Sequence, residues 1–203
     1  MKLLNRLFSQ HDFGGAPGKR ALSALLLGFA ISVPLFAQGY NLKAPFAAQP
    51  ALLTSVGQSA DVEMVKVLLT RAKISFTLDG QVKAESIPAG AKTLILAIGG
   101  SSKGLGAAGI APEAELERVK ALIADARKKG MKIIGAHVGG EARRGELSDK
   151  FIQLAVPLCD YVVIVAEGNS DGLFTKLCGS KIPLDAVDKI AKVGIPLAAA
   201  FLK

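Results

Sequence analysis

The spacing of hydrophobic positions changes along the chain, and each change marks an element. Residues 51–55 form a short apolar run expected as a strand, and after a polar turn Val62, Val65, Leu68 and Leu69 recur at helical spacing up to Arg71. Residues 74–78 alternate as a second strand ahead of Asp79 and Gly80. The run 93–98 (TLILAI) is apolar throughout, which suits a strand buried on both faces of a parallel sheet. Pro112 then opens a helix with Glu113 and Glu115 in its first turn and Leu116, Val119, Leu122, Ile123 and Ala126 on one face. Lys128, Lys129 and Gly130 end it, in agreement with the helix dipole. Residues 133–138 read as a fourth strand, and Leu147, Phe151, Leu154 and Ala155 as a helix face stopped by Pro157. Residues 161–166 (YVVIVA) read as a fifth strand, Leu173, Phe174 and Leu177 as a short helix, and 196–202 as a last one.

Strands that alternate with helices through short connections imply right-handed crossovers. The expected fold is a three-layer, doubly wound α/β domain over residues 51–203, with a mostly parallel five-stranded sheet. Flavodoxin-like strand order is favoured over Rossmann-like order.

The first fifty residues do not fit this alternation. Lys2, Arg6, Lys19 and Arg20 precede the uncharged apolar run 21–37, the pattern of a signal peptide cut after Ala37 or of an N-terminal membrane anchor. Residues 38–50, with Pro45 and Pro50 and no period, read as a leader. The expected location is therefore periplasmic or extracellular, with membrane contact only through an uncleaved N-terminal segment.

The whole chain carries 25 Lys and Arg against 17 Asp and Glu, and 5% aromatic residues without tryptophan. The first 37 residues hold four of the basic residues and one acid, so the remainder is only mildly basic. Charges of both signs are interleaved and few aromatics can stack on bases, so nucleic acid is not an expected partner.

In a doubly wound sheet the loops leaving the carboxyl ends of the strands share one rim. Four such loops are rich in glycine, hydroxyls and charge. They offer Ser55, Gln58 and Ser59 after the first strand, and Gly99, Gly100, Ser101, Ser102 and Lys103 after the third. The fourth strand delivers His137, Gly139, Gly140, Glu141, Arg143 and Arg144, and the fifth Asn169 and Asp171. Glycine permits close backbone approach and Lys103, Arg143 and Arg144 supply positive charge, which together describe a site for a small carboxylate or phosphate. On the plainer reading the glycines only make turns, and the arginines pair on the surface with Glu141, Glu146 and Asp149.

Several familiar motifs fail on context. Residues 104–109 spell G-x-G-x-x-G but stand five residues beyond their strand, so no nicotinamide cofactor is expected, and no Gly-Lys-Ser/Thr ending makes a P-loop. The loop after the first strand lacks aromatic partners for a flavin. Scattered acids and a single histidine after residue 37 make no metal site. No cofactor is thus expected. Cys159 and Cys178 would be separated by a strand climbing about 20 Å and a helix returning about 10 Å, too far apart for the Cα spacing of about 5.5 Å in a disulfide. Free buried thiols are expected.

Gly57, Gln58 and Ser59 distantly resemble the Gly-Asp-Ser start of a secreted lipase and esterase family. A catalytic set of Ser59, His137 and Asp171 across the rim is the corresponding enzyme reading. More extensively, the strings 54–61 (TSVGQSAD), 99–109 (GGSSKGLGAAG), 137–149 (HVGGEARRGELSD) and 168–174 (GNSDGLF) resemble an uncharacterised family of exported bacterial α/β proteins over about residues 51–202. That resemblance implies an extracytoplasmic bacterial setting and no activity. The leading expectation is a protein that binds a small anionic solute at the rim; a membrane permease or sensor is a conceivable recipient that no residue in the sequence supports. An exported hydrolase or transferase using Ser59 or His137, and an interaction module without pocket chemistry, are the alternatives.

Overall fold

The structure, a computed structural model, describes residues 40–202; the predicted signal segment at 1–37 lies outside them. Six parallel strands stand in the order β2-β1-β3-β4-β5-β6. They are β1 Ala51–Val56, β2 Phe76–Leu78, β3 Thr93–Ile98, β4 Lys132–His137, β5 Tyr161–Val165 and β6 Leu184–Val187. The first five follow the flavodoxin-like order. β6 adds an edge strand that the hydrophobic pattern did not reveal, because it has four residues, follows Pro183 and carries the buried Asp185.

β1 and β3 are buried at every position, as expected of strands covered on both faces. One core joins the sheet to helices α3 (Pro112–Lys128), α4 (Glu146–Ala155) and α5 (Leu173–Cys178) through Leu94, Leu96, Leu122, Phe151 and Phe174. The other joins it to α1 (Asp61–Arg71) and α6 (Ile190–Ala199) through Leu53, Ile95, Val65, Leu69 and Leu197. The last helix thus starts six residues before the predicted 196 and carries Pro196 inside it.

The glycine-rich stretch after β3 is not a loop. Residues Ser102–Ala108 form α2, capped at its start by the Ser101 hydroxyl, which accepts from the Gly104 N–H at 3.0 Å. Gly109 closes it in a left-handed conformation at φ +67°. Buried Leu105 anchors this helix despite the low propensity of Gly104 and Gly106.

Residues 40–50 are likewise not a free leader. Asn41 donates its backbone N–H to Asp185 Oδ1 at 2.6 Å and its side-chain amide to the Leu184 carbonyl. Phe46 and Ala47 donate to the Ala200 carbonyl, Leu202 donates back to Ala47, and Leu42 and Ala47 are buried. An extended strap bonded at fixed points needs no hydrophobic period, which is why it read as linker. Asp185 also accepts from the Tyr161 hydroxyl, whose own ionisation burial pushes far up.

Cys159 and Cys178 are both free and buried. Burial raises the pKa of each thiol, that of Cys178 to about 11. Among the described residues no helix is long and apolar enough to cross a membrane.

Candidate functional site

The register pairs Val56 with Ile98, His137 with Ile164 and Val165 with Val187 at the carboxyl ends of the parallel strands, so the loops after them converge on one rim. The strand order reverses between β1 and β3, the switch point at which doubly wound sheets place their ligands.

The loop leaving β1 is fixed from below. Gln58 adopts a left-handed φ of +56°, unusual for a residue with a side chain, and its amide donates to the Gly80 carbonyl and to Glu115 Oε1, each at 3.0 Å. The same Glu115 oxygen accepts from the Gly57 N–H. Glu115 is fully buried and pairs in a fork with Arg118, which also donates to the Val82 and Ser55 carbonyls. This charge network is closed on itself. Gln58 therefore serves the loop and is not free for a ligand.

Above that foundation the loop presents Ser59 and Asp61, both buried. The Ser59 hydroxyl accepts from the Asp61 N–H at 3.1 Å. Asp61 Oδ2 lies 3.4 Å from Nε of Arg143, yet neither atom makes a hydrogen bond and both are buried. Two glycines allow this meeting. A Cβ at Gly99 would lie 2.7 Å from Arg143 Cγ and 3.2 Å from both Asp61 Oδ2 and Ser59 Oγ. A Cβ at Gly139 would lie 2.7 Å from Asp61 Oδ2 and 2.3 Å from Arg143 Cβ. Ser59, Asp61 and Arg143 are thus gathered directly over bare backbone at the ends of β3 and β4.

Arg144 turns the other way. It forms paired hydrogen bonds with Asp149 at 2.7 and 3.1 Å and with Asp171 at 2.8 and 3.0 Å, donates to the Gly168 carbonyl, and lies over the Phe174 ring. The hydrogen bond from Arg144 holds the Asp171 carboxyl far below the usual range, and the Asp171 and Asp149 bonds raise Arg144 itself. Asn169 caps α5, its side-chain oxygen accepting from the Phe174 and Thr175 N–H groups.

His137 is fully buried, with Nδ1 2.9 Å from the Ile98 carbonyl and Nε2 3.1 Å from the Gly140 carbonyl. Desolvation lowers its pKa against the opposing pull of these two carbonyls. A backbone carbonyl stands at each ring nitrogen and Arg144 holds Asp171, so the set Ser59, His137 and Asp171 is not joined by hydrogen bonds. Ser55 lies inside β1, its hydroxyl buried without a partner. Gly100 donates to the Ser148 hydroxyl, and Ser101 is spent on its cap. Ser102 and Lys103 on α2, Glu141 on the turn after β4 and Gly140 beneath it flank the crevice without entering the charged cluster, the first three being exposed.

Of the predicted residues, Ser59, Gly99, Gly139 and Arg143 therefore come together, while Arg144, Asn169, Asp171 and His137 hold the neighbouring loops. Asp61 was missed as a site residue, since an acid in the first turn of a helix is what the dipole alone would favour. The Glu115 foundation left a fainter signal: a glutamate on the stripe shared by Val119, Leu122 and Ala126, with Arg118 three residues on.

Residues 48–201, nearly all of the described fold, match the family described as a domain of unknown function, DUF6305. The chain belongs to that family. The DUF6305 region takes in all six strands and the whole rim, but its description carries no activity. No curated protein matches the chain. Among solved structures, two mutants of the esterase AlinE4 are similar at 9% identity and a TM-score of 0.29 each. One alignment covers 71% of this chain and 78% of the esterase, the other 76% and 84%. Likeness at that level carries no argument about the DUF6305 chain.

Proposed function

We propose that this protein binds a small anionic solute in the crevice between β1, β3 and β4, with Arg143 as the charge that anchors it. The observation that supports this is the bonding of Arg143: its Nε is buried without a hydrogen bond, and the rest of its guanidinium has no hydrogen-bond partner among the described residues. A carboxylate or phosphate reaching that fork would supply charge-assisted bonds that the protein itself leaves unmade. The missing Cβ at Gly99 and at Gly139 lets the Asp61, Arg143 and Ser59 side chains close in over the backbone, and the Ser59 hydroxyl stands within that cluster to orient a ligand. Exposed Lys103 adds positive potential at the mouth.

The setting we propose is extracytoplasmic, after removal or anchoring of residues 1–37, with a membrane permease or sensor as the recipient of the solute. The test is a thermal-shift screen of the full-length chain against carboxylates, phosphates and nucleotides, with Arg143→Ala beside it. A ligand at one hundred times its dissociation constant adds about 2.7 kcal/mol, a shift of several degrees. A shift in the unmutated protein that vanishes in Arg143→Ala is the expected result; equal shifts in both would remove Arg143 from the site.

A second reading, hydrolase or transferase chemistry at Ser59, rests on the place of that hydroxyl at the reversal point just ahead of α1. It predicts turnover of a simple ester that is lost in Ser59→Ala. Its weakness is chemical, because the imidazole that would take the hydroxyl proton already has a carbonyl at each nitrogen.

A further inference from the structure

The anion-binding reading leaves Asp61 unexplained. Its side chain is nine-tenths buried, its Oδ2 accepts no hydrogen bond, and among the described residues its one ion-pair partner is the unbonded Arg143 Nε at 3.4 Å. A carboxylate desolvated to this degree without a donor is costly, and so is the buried Nε opposite it. The two costs stand side by side, over backbone stripped of side chains at Gly99 and Gly139. By contrast, the nearby buried charges of Glu115, Arg118 and Arg144 all have hydrogen-bond partners.

A bare anion does not fit this arrangement. Whatever negative group reached Arg143 would stand next to the Asp61 carboxylate in a partly dehydrated crevice, where like charges repel more strongly than in water. A ligand that brought a positive group with it would turn that repulsion into an attraction.

We infer that the solute is a zwitterion of the amino-acid class, its carboxylate received by Arg143 and its ammonium by Asp61. In an α-amino acid the two charges are joined through a single carbon, and in the protein the complementary charges are adjacent. Ammonium N–H groups would donate to the Asp61 carboxylate, and the terminal guanidinium N–H groups of Arg143 would donate to the ligand carboxylate. Ser59 adds a third point: its oxygen already accepts from the Asp61 N–H, and its hydroxyl proton remains free to donate to the ligand carboxylate. The assignment rests on the anion-binding reading and makes it more specific, since it separates amino acids from phosphates and simple carboxylates.

The experiment compares matched ligands on the full-length chain by isothermal titration calorimetry. The probes are alanine, leucine, glutamate and lysine, the α-hydroxy acid corresponding to each, and inorganic phosphate. At least one amino acid should bind about tenfold or more tightly than its hydroxy acid, the scale of one hydrogen bond to a charged group. Asp61→Asn should erase that preference, and Arg143→Ala should abolish binding of amino acid and hydroxy acid alike. The ligand comparison on unmutated protein stands even where Asp61→Asn fails to fold. Hydroxy acids or phosphate binding as tightly as amino acids, with loss in Arg143→Ala, would overturn the zwitterion and leave the anion site standing. No binding of any probe at millimolar concentration would overturn both.

Discussion

Arg144 closes its guanidinium on Asp149, Asp171 and the Gly168 carbonyl, while Arg143, one residue before it on the same loop, faces Asp61 without a hydrogen bond. Both are arginines after β4, both point toward the rim, and on charge alone they are equivalent. The difference lies in how many of their donors the protein satisfies. Arg144 ties α4 to the loop after β5, and the Glu115–Arg118 pair in the same way ties α3 to the loop after β1. Arg143 ties little and leaves buried polar atoms waiting. A buried charge whose bonds are complete holds the fold, and one whose bonds are open is where a ligand can add binding energy.

That contrast fails first if the closed networks prove dispensable. Replacing Glu115 by alanine leaves Arg118 buried without its carboxylate and removes the acceptor of the Gly57 N–H, so unfolding in urea should show a loss of about 4 kcal/mol. A loss below about 1 kcal/mol would mean that the loop after β1 does not depend on this pair. Arg144→Ala should cost less, about 2 kcal/mol, because Asp171 is more than half exposed and water takes over part of its pairing. The same urea experiment measures it.

His137 sharpens the comparison through pH. Its folded-state pKa lies below the ordinary value of 6.5, so the unfolded chain binds a proton in the window just beneath 6.5 that the folded chain refuses. Its contribution to stability is complete above pH 6.5 and is lost as the pH falls from there toward the folded-state pKa. Urea midpoints across that window should fall more steeply for the native protein than for His137→Gln, and equal slopes would show that the buried ring titrates normally. The smallest effect on stability belongs to Arg143→Ala, expected at about 1 kcal/mol because Asp61 loses a charged neighbour but no hydrogen bond, while solute binding disappears. Destabilisation as large as that of Arg144→Ala would erase the distinction between the two residues.

How far the sequence shows this much depends on which physical quantity it displays. Runs such as TLILAI and YVVIVA announce strands buried on both faces, and Pro112 with Gly130 brackets a helix that ends where expected, give or take two residues. β6 escaped because Asp185 interrupts its four residues, and α2 because two glycines conceal a helix that rests on Leu105 and a serine cap. The strap at 40–50 is held by hydrogen bonds to Asp185 and Ala200, which leave no hydrophobic pattern. The rim was legible as a place, since loop composition and the parallel sheet both point there. Its division of labour was not: sequence lists charges, and only coordinates show that Arg144 meets two carboxylates while Arg143 meets one that it does not bond.

The most direct test watches both arginines at once. In a ¹⁵N spectrum of the arginine Nε–H groups of the full-length chain, Arg143 and Arg144 can be assigned by lysine substitution, and amino acids and hydroxy acids then titrated in. The account predicts that the Arg143 resonance moves saturably with a bound solute while that of Arg144 stays in place. Movement of Arg144 with Arg143 unchanged, or no movement of either across the whole ligand panel, would contradict it.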